Sequence, residues 1–281
     1  MTAFILGLVL LSHPERHFHA FLFDGECVVL DKNGTAVAQL NLKTIPELST
    51  PSDVDVSPDG TRLAVTAWSA EVNNTLLFEL TLATRAVRRI GEAKGFHAAP
   101  SYSRDGLWIQ FAHHATLGGP VGMHELRQYA QLYRQRSDGS SAPEQLTTSE
   151  GCHMESASVR GDAIYFAHSN CKGGRRIELL TAGREAPITT FESHLGEPDL
   201  SLDGRWLVAT RVTGDLLEIV ELNLAHPETT QTLWSSTRSR EQFRPHYSGS
   251  GRAVVFQNGA VVYELSQARP KPALKLIWSF Q

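Results

Sequence analysis

A four-residue turn recurs along this chain at a near-constant interval. Its clearest copy, Ser57-Pro58-Asp59-Gly60, lies between Asp53-Val54-Asp55-Val56 and Arg62-Leu63-Ala64-Val65-Thr66. Pro fixes φ at the first central position, Asp bonds its own backbone, and Gly takes the left-handed conformation. Flanked by alternating apolar residues, the stretch predicts a tight hairpin between antiparallel strands. Further copies are Ser103-Arg104-Asp105-Gly106 and Ser201-Leu202-Asp203-Gly204. Weaker ones are Ser158-Val159-Arg160-Gly161 and Ser248-Gly249-Ser250-Gly251, and a degenerate one is Ser12-His13-Pro14-Glu15. Serine to serine, the steps are about 45, 46, 55, 43 and 47 residues, a period that marks a propeller or a solenoid.

Composition narrows the partners. The chain has 281 residues, 20% charged, with net charge -4. That balance argues against nucleic acid and against an anionic membrane surface. No apolar run is long enough to span a bilayer. No charge block or Gly/Ser linker divides the chain, so one domain over 1-281 is expected.

The repeat resembles the WD40-like PD40 repeat of the TolB family of periplasmic translocation proteins. Similar repeats occur in the propellers of prolyl oligopeptidase-type peptidases and of oligogalacturonate lyase. The resemblance covers essentially the whole chain and implies an all-β, six-bladed β-propeller of four-stranded antiparallel blades. The expected blades are approximately 1-48, 49-95, 96-151, 152-193, 194-241 and 242-281. The last repeat is expected to hold its own four strands, so that the ring closes without borrowing one. The apolar run Phe4-Ile5-Leu6-Gly7-Leu8-Val9-Leu10-Leu11 has two readings. It is the inner strand of blade one, in register with Ser12, or residues 1-20 are a signal segment.

In a propeller, loops leading into the first strand and out of the second share one rim of the channel. Here that rim collects histidines. His97, His153 with Glu155, His194 with Glu197, and Arg244 with His246 precede or begin inner strands. His113, His114, His168 and Arg211 end second strands, and His124 lies on a long blade-three insertion. His113, His168 and Arg211 each follow their turn glycine by seven positions, which makes them equivalents. Eight of the 12 histidines fall on this rim.

Three readings of the cluster remain open. Imidazoles with carboxylates suit a divalent transition metal (zinc, manganese, nickel or iron), with His153, His168 and His194 as ligands. Alternatively His97, His113, His246, Arg211 and Arg244, with Glu155 and Glu197, form a mouth for a small anion or a protein segment. Or the rim is simply solvated. In the oligogalacturonate lyase family the resemblance implies a manganese site that includes a His-Pro-His stretch. Here that stretch is Arg244-Pro245-His246, which departs from it at the first position.

No Gly-x-Ser-x-Gly, Walker or dinucleotide glycine pattern is present. Cys152 and Cys171 fold to nearly opposite positions about the Arg160-Gly161 turn, so a disulfide between them is one expectation. It would fit an oxidising compartment such as the periplasm; free thiols or zinc ligands are the others. Cys27, in an apolar strand, reads as buried and inert. Trp108, Tyr165, Trp206 and Phe256 share second-strand positions and read as packing between blades.

The leading expectation is a non-catalytic, TolB-like binding propeller, exported to the periplasm, holding a protein segment or small ligand at the channel face. The alternative is a metal-dependent propeller enzyme, lyase-like or hydrolytic, acting on an anionic substrate. A cytoplasmic location is the alternative to export. No segment within these residues matches the additional α/β domain of TolB, so the full translocation role is not implied.

Overall fold

The computed structural model describes residues 18–92, 95–114, 130–148, 153–160 (backbone), 163–169, 174–237, 244–248, 253–266 and 273–280. Six antiparallel sheets form a ring, each built from strands in sequence order. The first has three described strands: β1 (Phe18–Phe23), β2 (Glu26–Asp31) and β3 (Ala36–Asn41). The second has β4 (Pro51–Val56), β5 (Arg62–Ser69), β6 (Asn74–Thr81) and β7 (Val87–Ile90). The third has β8 (Phe96–Tyr102), β9 (Trp108–His114), β10 (Gln131–Arg136) and β11 (Glu144–Gln145). The fourth has β12 (His153–Arg160), β13 (Ala163–Ser169), β14 (Arg175–Thr181) and β15 (Arg184–Pro187). The fifth has β16 (Leu195–Leu200), β17 (Trp206–Thr213), β18 (Leu216–Asn223) and β19 (His226–Thr237). The sixth has β20 (His246–Tyr247), β21 (Ala253–Asn258), β22 (Val261–Ser266) and β23 (Ala273–Ser279). The molecule is a six-bladed β-propeller.

The recurring turn joins the first strand of a blade to its second. Ser57 Oγ donates to Asp59 at 2.5 Å and accepts the Arg62 N–H at 3.0 Å. Asp59 also accepts the Thr61 N–H at 3.1 Å. Gly60 closes the turn at φ 71°, where a side chain would be strained and would meet the Phe18 ring. Blades three and five repeat this, with Ser103 and Asp105, and with Ser201 and Asp203.

Alternation along each second strand sends side chains to both neighbouring blades. Leu63 and Val65 pack toward Cys27 and Val29 of blade one, whereas Ala64 packs toward Tyr102 and Ile109 of blade three. Leu132 meets Ile164 and Phe166 between blades three and four, and Ile177 meets Leu207 between four and five. Ile219 meets Val254 and Phe256 between five and six. Phe21 and Val28 meet Val255, Val262 and Phe280, which closes blade six on blade one. Each junction buries apolar surface that a lone blade would expose.

β1 starts beside the Gly60 turn and ends beside Pro51 and Ser52, where β4 begins. It therefore runs in the direction of a second strand. Residues 1–17, over which an inner strand or a signal segment is expected, lie outside the described residues.

One structural expectation changes: Trp206 is 36% exposed rather than packed between blades. Trp108 is half-buried and carries the Arg134 guanidinium 4.4 Å over its ring. Cys27 is fully buried, and burial pushes its thiol up to about 12, so it is unreactive.

Candidate functional site

Inner strands begin at one face of the ring, and there their ladders are broken by bulges. The register shifts between Ala98 and Ser101 in blade three and between Gly196 and Asp199 in blade five. Ala99 and Glu197 at these points, and Arg244 just before β20, hold φ of 50°, 49° and 31°. That is left-handed backbone, costing on the order of 1–3 kcal/mol for a non-glycine residue. Carboxylates of the preceding blade hold it in place. Asp53 Oδ2 accepts the Ala99 N–H at 3.1 Å, and Glu197 Oε2 accepts the Arg244 N–H at 3.3 Å.

A second layer lies one step deeper. Asp55 Oδ2 accepts the Tyr102 N–H at 2.7 Å, and the Tyr102 hydroxyl donates to Glu79 at 2.8 Å. Asp199 Oδ2 accepts the Tyr247 N–H at 2.9 Å, and the Tyr247 hydroxyl donates to Glu221 at 2.6 Å. The two latches join blade two to three and blade five to six, on opposite sides of the ring. Burial and the facing glutamate hold both phenols well above their ordinary range.

Arg244 ties the face together. Its guanidinium pairs with Asp53 and donates to the Val54 carbonyl at 3.2 Å, from blade six to blade two. Its Nε is buried without a hydrogen-bond partner among the described residues. At the opposite end of the channel, Arg104 reaches from blade three to the carbonyls of Leu200 and Ser201. Between these two arginines the bore holds about 60 Å³, room for a few waters. Beside Arg244 and Asp53, between blades one and two, a wider cavity of about 410 Å³ opens. It is lined also by Lys43 and Gln257.

The expected rim residues separate into groups. Arg244, Glu197 and His246 do meet at this face. His246 stacks on His19 with ring centroids 5.8 Å apart and lies 3.9 Å from Asp199. His97 and His113 meet each other, at 4.5 Å between centroids, but are buried between blades two and three. His97 Nδ1 lies 3.1 Å from the Thr75 carbonyl, and its Nε2 lies so close over Gly91 that a Cβ there would sit at 2.7 Å. Burial, with His113 beside it, lowers the His97 imidazole to about 3; burial also lowers His113.

His168 is buried within blade four. Its Nδ1 lies 2.8 Å from Glu178, which also accepts from Arg176 Nε at 2.6 Å. Burial would raise the Glu178 carboxyl, but the His168 and Arg176 contacts outweigh it and hold it low. Arg211 pairs with Glu218 at 2.7 Å in blade five. His113, His168 and Arg211 thus stand at equivalent points of three blades and do not converge. His194 ends a 3-10 turn (Phe191–Ser193) at φ 53°. His153 and Glu155 lie on β12, where only the backbone is described. Cys152, Cys171 and His124 lie outside the described residues. Among the described residues no three His, Cys, Asp or Glu side chains are grouped to hold a metal ion.

The latch tyrosines and their glutamates, Tyr102, Tyr247, Glu79 and Glu221, were not expected. Their signal was present: Pro100-Ser101-Tyr102-Ser103 and Pro245-His246-Tyr247-Ser248 repeat Pro-x-Tyr-Ser. The acceptors repeat too, as Asp53 with Asp55 and Glu197 with Asp199.

No family model and no curated protein matches the sequence. Solved structures do. TolB from Acinetobacter baumannii matches with a TM-score of 0.67 at 19% identity, covering 94% of this chain and 64% of that one. A TolB structure from Agrobacterium tumefaciens gives 0.66 at 17%, covering 94% and 90%. Oligogalacturonate lyase in complex with manganese gives 0.56 at 16%, covering 95% and 78%. The chain thus spans just under two thirds of the Acinetobacter protein. At these identities the likeness shows a TolB-like propeller fold. Among the described residues, no helix is long and apolar enough to cross a membrane.

Proposed function

We propose that this chain is a non-catalytic binding propeller that holds an acidic protein segment or a small anion at the inner-strand face of the channel. One observation carries the reading: the buried Nε of Arg244, without a hydrogen-bond partner among the described residues, beside a cavity of about 410 Å³. An unsatisfied buried donor costs about 1–3 kcal/mol, which an incoming carboxylate oxygen would recover. The cavity falls within the usual range for ligand sites of about 300–1,000 Å³, whereas the bore of about 60 Å³ does not. The ligand therefore sits at the mouth, not within the channel. Strained backbone at Ala99, Glu197 and Arg244 fits a preorganised binding surface. Export to the periplasm belongs to the same reading and rests on the TolB-like repeat.

Calorimetric titration with succinate and with a short glutamate peptide tests it. Arg244→Lys, which keeps the charge but loses the planar fork, should weaken binding about tenfold or more while the fold persists. Equal binding by wild type and variant, or no binding by wild type, overturns the reading. The metal-dependent enzyme is tested in parallel by elemental analysis. About one equivalent of manganese or zinc, lost in His153→Ala, would favour it.

A further inference from the structure

A second concavity lies away from the channel, between blades four and five. It holds about 690 Å³, more than the mouth cavity. Its apolar lining includes Ile188, Leu195, Leu216 and Pro227. Leu216 is 41% exposed, one of few large aliphatic side chains so placed among the described residues. One wall is the 3-10 turn that carries Glu192, and the other is the start of β19, which carries Glu228.

The charge in this groove is one-sided. Its single arginine, Arg211, is bound by Glu218 at 2.7 Å and by the Thr230 and Thr232 hydroxyls at 3.0 and 3.1 Å. Glu218 in turn accepts from Thr232 at 2.9 Å, so this network is closed on itself. Glu192, which accepts from the Thr190 side chain beside His194, and Glu228 remain as excess negative charge on the two walls. Glu228 has only a loose 3.7 Å approach from His226, with both side chains well exposed. An apolar floor between two acidic walls suits an apolar side chain flanked by cations and disfavours phosphate-rich partners.

We infer that this groove docks an extended basic segment of a partner protein, seating an aliphatic residue against Leu216 and placing lysine or arginine beside Glu192 and Glu228. The site is independent of the Arg244 mouth and has the opposite charge preference.

Fluorescence anisotropy with a labelled ten-residue peptide of alternating leucine and lysine tests this. The expected result is saturable binding that weakens about five- to tenfold in E192Q/E228Q and also in L216S. A control, D138N/E144Q on the outer part of blade three, changes net charge equally and should leave binding intact. Circular dichroism confirms that each variant is folded. The inference is overturned if a leucine–glutamate peptide binds as well, if the blade-three control weakens binding as much, or if the lysine peptide does not bind. Arg244→Lys should not alter this binding; loss there would assign it to the mouth and overturn the groove.

Discussion

Tyr102 and Tyr247 show how much one hydroxyl can hold. Each phenol reaches back into the preceding blade and donates to a buried glutamate, while its own N–H is held by an aspartate of that blade. Hydrogen bonds to charged groups contribute about 1.5–3 kcal/mol. Tyr247→Phe should therefore lower the melting temperature by roughly 3–12 °C, at about 2–4 °C per kcal/mol for a chain near this size. Tyr102→Phe leaves Glu79 paired with Arg62 and Arg88 and should lower the melting temperature over the same range or less. Differential scanning calorimetry of the two variants checks this, and an unchanged melting temperature for Tyr247→Phe would contradict the assignment. His97 acts on pH. Unfolded, its imidazole titrates near 6.5; folded, burial lowers it to about 3. Between those values the unfolded chain binds the extra proton. This contribution to stability is therefore complete above about 6.5 and falls as pH drops toward 3. Wild type should lose more melting temperature from about pH 7 to about pH 5 than His97→Asn, whose side-chain amide can still donate to the Thr75 carbonyl. Equal losses would show that His97 does not set the acid limb.

At the level of the hairpin, the serine and aspartate of each turn satisfy backbone N–H groups that the reversing chain would otherwise leave open. Ser201 accepts the Trp206 N–H and donates to Asp203, both at or below 3.0 Å. Ser201→Ala should cost about 1 kcal/mol, with faster hydrogen exchange confined to β16 and β17. Uniform acceleration in all blades would instead mean that the ring opens only as a whole. The turn was legible because its chemistry is local: four residues contain both the partners and the φ requirement. The left-handed residues Ala99, Glu197 and Arg244 at the inner-strand entries were not legible, because the carboxylates that hold two of them come from the neighbouring blade.

The ring as a whole depends on six interblade cores, and the core between blades six and one brings together the two ends of the described chain. Phe280, near the end of the described chain, is 7% exposed there and lies 5.8 Å from Phe23, ring to ring. Phe280→Ala should cost about 3–5 kcal/mol, as a core phenylalanine does. A loss below about 1 kcal/mol in urea denaturation would mean that this junction contributes little to closure.

The sequence by itself determined the repeat, the hairpin turns and the apolar faces, because each follows from contacts a few residues apart or from strict alternation; the blade number followed from counting the repeats together with the resemblance to TolB-like propellers. It also placed Arg244, Glu197 and His246 at one face. Only the tertiary structure decided which polar groups meet. His97 and His113 turn inward because Thr75 and Gly91 of the adjacent blade offer a carbonyl and a space without a Cβ. His168 and Arg211 are each claimed by a glutamate on the next strand. Arg244 finds Asp53 across 191 residues of chain, a pairing that depends on ring closure and on no local pattern.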